Sequence, residues 1–310
     1  MSTGDALAAI EAETPPLFDP TAPLRASGNL RRRNAVSRLA AGGAQAAAIL
    51  AILVLGAVVL AVVNRGGNAL SWHFITQSPT VTGVGGGIAP EIVGTLLICA
   101  LAVIIAAPLG VLVALYVTEF AGARLAVFMR TVLDLMQGLP SIIIGLLFFG
   151  LLVAGSGQSG YAASLALATI MLPLVARSTQ EVILLVPRTL REGADALGVP
   201  RWRTVVGIIL PEAIGGIVTG TLLAFGRAAG ETAPIIALNS VWDPAKFVLN
   251  PFVHRGIPNL PFYIFNQNEQ GDPASVQRAW GAALVLLIMI LLANFTARAL
   301  LARNRRKFAR

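Results

Sequence analysis

The sequence is short of charge, lysine and cysteine, and each shortage narrows what the chain can be. Only 12% of the 310 residues are charged and 56% are hydrophobic; a soluble domain carries about twice that charged share. The single cysteine, Cys99, excludes an intrachain disulfide, and its apolar surroundings suit a small packing residue rather than a ligand. Only Lys246 and Lys307 are lysines among 23 basic residues, and neither follows a glycine. A phosphate-cradling Gly-Lys-Ser/Thr loop is therefore absent, so the chain is expected to be no enzyme and to have no ATPase site of its own. Gly83–Gly87 is too loose for a nucleotide loop. The two histidines, His73 and His254, lie too far apart for metal-ligand spacing, and no His, Ser or Cys constellation suggests hydrolysis.

What the sequence has instead is long uncharged runs, and about 20 apolar residues suffice to cross a bilayer. Residues 1–43 are polar and end in a basic cluster, which predicts a flexible tail; a first span follows over 44–63. Further spans are expected over 92–117, 130–154, 161–185, 212–237 and 279–300, with Gly155–Gly160 as a turn between the third and fourth. Pro108, Pro140, Pro173 and Pro234 fall inside spans, where neighbouring helices can satisfy freed carbonyls. Six spans put both ends on one side. Sixteen basic residues lie in the segments of that side against Arg65, Lys246, Arg255 and Arg278 on the other. The expected topology places both termini in the cytoplasm. The net charge of +8 thus reads as membrane topology rather than nucleic-acid binding. The fold class expected is an all-α polytopic membrane protein of six transmembrane helices.

Between the fourth and fifth spans, residues 188–211 read as a short helix, a turn at Gly198-Val199-Pro200 and a second helix leading into the membrane. Glu192, Ala194, Gly198, Ile208, Leu210 and Pro211 stand at the spacing of the EAA loop, and on them the segment resembles the coupling loop of ABC importer permeases. Gly193 departs from that pattern, which usually has alanine. The resemblance implies that this knob seats in an ATPase subunit.

Two arginines fall well inside spans, where a charge costs about 3 kcal/mol or more unless paired or solvated. Arg177 and Arg227 each have a glutamate four residues on, Glu181 and Glu231, on the same helix face. Two readings stand: self-neutralised pairs that staple the bundle, or residues facing a wet cavity where a guanidinium forks onto an oxyanion. Asp134 has the same spacing from Arg130, which suggests a structural pair.

Residues 85–305 resemble the PstA family of phosphate importer permeases through Gln137–Ile142 with Gly145, Leu172–Arg177, the coupling segment, Gly226–Pro234 and Asn259–Gln267. This resemblance implies a type I ABC importer permease (MetI-like) fold and a role for Arg177, Arg227 and Glu231 in phosphate passage; Glu181 joins them on spacing alone. It also implies a PstC-like second permease, two copies of a PstB-like ATPase that use ATP and Mg, and a PstS-like phosphate-binding protein, in a bacterial plasma membrane. No cofactor is expected on the chain itself. The segment 238–278, rich in aromatics, Pro and Asn, serves equally as a dock for the binding protein or as a cap on the bundle. Permeases for molybdate, sulfate or phosphonate are the nearest alternative, followed by a gradient-driven carrier.

Overall fold

A computed structural model describes residues 28–80, 86–241, 250–252 and 255–308. Residues 1–27 of the expected tail, most of Gly83–Gly87, and the part of 238–278 that holds Lys246 and His254 lie outside the described residues. Contacts divide the chain into two units, 1–59 and 60–310.

Helix α1 runs over Gly28–Gly66. Residues 28–43, expected to belong to the tail, are therefore helical, because Leu30, the arginines and the alanines there are strong helix formers. The apolar stretch of α1 that lies in the first unit has no buried residue, and all of it is exposed but Gly56 and Val59, which are half-buried. In the second unit follow a short helix α2 (Trp72–Thr76), α3 (Ala89–Leu115, ending in a π turn, Tyr116–Phe120) and α4 (Ala123–Gly138). Then come α5 (Ser141–Phe148, with a π turn, Phe149–Val153) and α6 (Gly160–Leu185). Next are α7 (Arg188–Ala196) and α8 (Arg201–Thr204), which runs through a π turn, Val205–Ile209, into α9 (Leu210–Ala229). Last are α10 (Ala233–Leu238), α11 (Leu260–Gln270) and α12 (Pro273–Phe308).

Among the described residues, five helical stretches are long and apolar enough to span a bilayer: 32–69, 89–120, 160–185, 201–229 and 273–299. The expected third span is not one rod. α4 and α5 meet at 93° across Leu139-Pro140. The fifth span is interrupted too, between α9 and α10. The four prolines divide by what precedes them. Ala106-Ala107 and Met171-Leu172 are good helix formers, and Pro108 and Pro173 stay inside helices. Gly138 and Gly230 precede the other two, and there the helices break; Leu139 is extended, as a residue before proline prefers. The breaks touch, since a Cβ on Gly145 of α5 would sit 2.8 Å from Pro234 Cα of α10.

Small residues let the central helices approach closely. Ala102 and Ala106 of α3, Ala162, Ala163 and Ala166 of α6, and Ala224 and Ala228 of α9 are all buried in one cluster. Gly216 faces Val182 and Gly220 faces Ser178, which sets α6 and α9 antiparallel in a fixed register. At the end of the bundle where α6 begins and α9 finishes, Asn239 acts as a buried staple. Its side chain donates to Ile257 O at 2.9 Å and accepts from Ile257 N at 2.7 Å. Asn259 donates to Asn239 O at 3.1 Å and caps α11 by accepting from Phe262 N at 2.9 Å. Tyr263 of α11 is buried as well, hydrogen-bonded to Gln267 and Arg278.

Candidate translocation site and coupling surface

Arg227 closes the last turn of α9, where a cation complements the helix dipole. Gly230 then ends the helix and places Glu231 in the break, with Glu231 N donating to Ala228 O at 3.1 Å. Arg227 Nε stands 3.5 Å from Glu231 Oε1, the neighbour that the spacing predicted. The arginine side chain is 54% exposed and the glutamate 17%. The charged pair thus sits at a broken helix, half open, with donor groups of the guanidinium unspent. Non-helical backbone at membrane depth occurs where it lines a cavity or a protein contact.

Arg177 takes a different partner from the one expected. It pairs with Asp134 of α4 and donates to Arg130 O at 3.3 Å. Glu181 is exposed one turn on, and Asp134 is engaged by Arg177 across the α4–α6 contact. The four-residue rule sees only one helix; the bend at Pro140 is what lays α4 against α6. The α6–α9 register sets Arg227 level with Met171, so the two arginines lie about 9 Å apart along the helix axes. The structure therefore brings Arg227 and Glu231 together, puts Arg177 nearer the α7 end, and leaves Glu181 apart from both.

At the α7 end, the helix–turn–helix takes the expected form. Gly198 adopts φ +68°, a conformation that favours glycine, and its N–H donates to Asp195 O at 3.0 Å while Val199 N reaches Ala194 O at 3.0 Å. Ala194 is buried beneath the knob and Glu192 is exposed. Ile208 and Leu210 are half-buried, and Pro211 follows directly on the π turn at the start of α9. Leu190, Leu197 and Trp202 expose apolar surface on the same knob.

Two residues of this end went unassigned in the sequence. Arg191 Nη1 donates to Val186 O at 2.7 Å, and Nη2 to Ile183 O at 2.9 Å and to Glu119 Oε1 at 3.0 Å. One side chain thus ties the knob to the carbonyls that end α6 and to a buried carboxylate in the π turn of α3. The available signal was Glu119 itself, a lone acid at the end of an apolar run, which needs a cation nearby. Among the described residues no group of three or more His, Cys, Asp or Glu could hold a metal ion.

The model of the binding-protein-dependent transport system inner membrane component family matches residues 106–310. The phosphate transport system permease protein PstA 1 of Mycobacterium tuberculosis (strain ATCC 25618 / H37Rv) is 36% identical over 260 residues, covering 80% of this chain and 82% of its own length. Among solved structures, a bacterial ABC transporter involved in the import of the acidic polysaccharide alginate superposes with a TM-score of 0.60 at 18% identity, over 87% of this chain and 99% of that one. The MetNI methionine ABC transporter, in an inward-facing conformation, superposes at 0.55 and 20% identity, over 70% and 94%. These two likenesses show the fold alone, and it is the MetI-like importer permease fold expected. The chain belongs to the binding-protein-dependent transport system inner membrane component family, among the relatives of the PstA permeases.

Proposed function

We propose that the chain is the PstA-type permease subunit of an ATP-driven importer of inorganic phosphate, forming half of the translocation pathway. The observation that carries this reading is the Arg227–Glu231 pair at the helix break, with Arg177 about 9 Å deeper on the adjoining helix. Phosphate at neutral pH keeps at least one proton. Glu231 accepts a hydrogen bond from that P–OH group while Arg227 holds the unprotonated oxygens. Sulfate brings no proton, so it meets a carboxylate that repels it. Glu181 joins the path as a peripheral charge, exposed on the same helix as Arg177.

The basic-residue bias places both termini and the knob in the cytoplasm of a bacterium, with the Asn239 layer outside. A PstC-like permease completes the pathway against the open side of Arg227. Two PstB-like ATPases, using ATP and Mg, engage the knob of each permease through Glu192, Ala194, Gly198, Ile208, Leu210 and Pro211. A PstS-like phosphate-binding protein delivers the anion from outside. Closure of the ATPase dimer moves the knobs and turns the cavity outward; hydrolysis resets it.

Competition uptake tests this reading. In phosphate-starved cells lacking the chain, wild type is expected to restore uptake of labelled phosphate, Arg227→Ala to abolish it, and excess sulfate, molybdate or phosphonate to leave it intact. Uptake that one of those anions suppresses as well as unlabelled phosphate does would reassign the substrate.

A further inference from the structure

We propose that Arg191 and Glu119 are the positioning residues that couple the knob to the pathway. Together they bolt α7 to the ends of α3 and α6, so that a displacement of the knob moves the membrane helices instead of tilting the knob. The proposal rests on the reading of the chain as a subunit of an ATP-driven importer, and it assigns the transmission step to two residues outside the set that meets the ATPase.

The backbone alone holds the knob loosely. α6 passes into α7 through Val186 and Pro187, both extended, with ψ of 126° and 136°. α7 passes into α8 through Gly198, with φ +68°. α8 reaches α9 through the π turn, where Leu210 N donates to Val205 O, and wide turns of this kind gather at functional joints. Pro211 follows and has no N–H, so Gly207 O lacks its α-helical donor. Ala194 alone is buried in α7 among the described residues, so little apolar packing restrains the helix.

The helices behind the knob form one block. Leu115 of α3, Ile183 and Val186 at the end of α6, and Ile209 just before α9 share a buried cluster. The close approaches of Gly216 to Val182 and of Gly220 to Ser178 fix α9 against α6. This block carries both Arg177 and Arg227.

Arg191 joins the knob to the block. Its Nη1 donates to Val186 O at 2.7 Å, and its Nη2 donates to Ile183 O at 2.9 Å and to Glu119 Oε1 at 3.0 Å. A planar guanidinium held by three acceptors from two helices cannot pivot about the α6–α7 corner. Glu119 is 5% exposed, so its carboxylate serves Arg191 and presents no surface to a partner. Without the bolt, the ATPase would still turn over and move the knob, but the stroke would be spent at the two backbone joints.

The competing account is a clamp that only holds the fold together, and the yield of phosphate taken up per ATP hydrolysed separates the two. The complete complex of permeases and ATPases is reconstituted in liposomes with the phosphate-binding protein and labelled inorganic phosphate, and uptake and hydrolysis are measured together. Glu119→Ala is expected to keep hydrolysing ATP while the yield falls about tenfold, the fold-change that one charged hydrogen bond commands. Glu119→Gln, which keeps an acceptor oxygen, is expected in between. An unchanged yield in Glu119→Ala, or uptake and hydrolysis that fall in proportion, overturns the coupling role. Where Glu119→Ala does not assemble, Arg191→Lys decides by the same yield: its compact ammonium keeps the charge but cannot span the three acceptors, and a wild-type yield there overturns the role. A wild-type complex that takes up no phosphate, or takes it up without ATP, would instead remove the parent reading.

Discussion

Replacing Glu119 with alanine tests how the knob is attached to the membrane helices. The side chain is 5% exposed and its carboxylate meets Arg191 Nη2 at 3.0 Å. Removing one partner of a buried ion pair costs about 3–5 kcal/mol, because the other charge stays buried. Arg191 keeps two carbonyl acceptors, at 2.7 and 2.9 Å, and is itself 21% exposed, so the low end of that range, about 3 kcal/mol, is expected. Glu119→Gln keeps an acceptor oxygen and loses only the charge, for about 1 kcal/mol. Local opening of α7 reads these values directly through amide exchange. At 1.36 kcal/mol per decade, exchange over 188–198 should quicken by about two orders of magnitude in the alanine variant and about fivefold in the glutamine variant. Hydrogen-exchange mass spectrometry of the chain in lipid nanodiscs measures both. Unchanged exchange in Glu119→Ala would refute the reasoning and leave the carbonyl bonds as sufficient anchors.

Four further outcomes are expected. Gly193→Ala places a methyl where nothing lies within 4 Å, so α7 should gain about 1 kcal/mol, seen as slower exchange over 188–196. Asn239→Leu leaves the N–H and C=O of Ile257 unpaired in a buried layer, a loss of about 2–4 kcal/mol that thermal unfolding in detergent should register. Asp272 caps α12, and hydrogen bonding from Ser275, with Ala274 N beside it, holds its carboxyl below the usual range. Its contribution is therefore present above the usual carboxylate range and lost as pH falls through the lowered value; first-turn exchange in α12 should rise only in that acid window. Glu231→Gln should erode discrimination against sulfate in competition uptake; phosphate uptake and sulfate rejection both intact would sink the proton-sensing role.

The sequence showed most of the fold because apolar length is a local property. The span expected over 161–185 differs from α6 by one residue at its start. The helix–turn–helix was legible from Gly198 and Pro200, whose backbone preferences act within a few residues. The breaks were not, since four intramembrane prolines look alike until the glycines before Pro140 and Pro234 are weighed. Arg227–Glu231 was legible because its partner lies one turn away. The Arg177–Asp134 and Arg191–Glu119 pairs were not, because each joins different helices across more than forty positions and is set by packing rather than by spacing.

The measurement that tests the central claim most directly replaces residues 192–198 with a flexible linker of equal length and follows labelled phosphate uptake in starved cells, with and without depletion of ATP. Wild type should restore uptake that collapses with ATP, and the linker variant, at normal chain level, should stay at background. Normal uptake by the linker variant, driven by an ion gradient and indifferent to ATP, would contradict the account and make the chain a carrier in its own right.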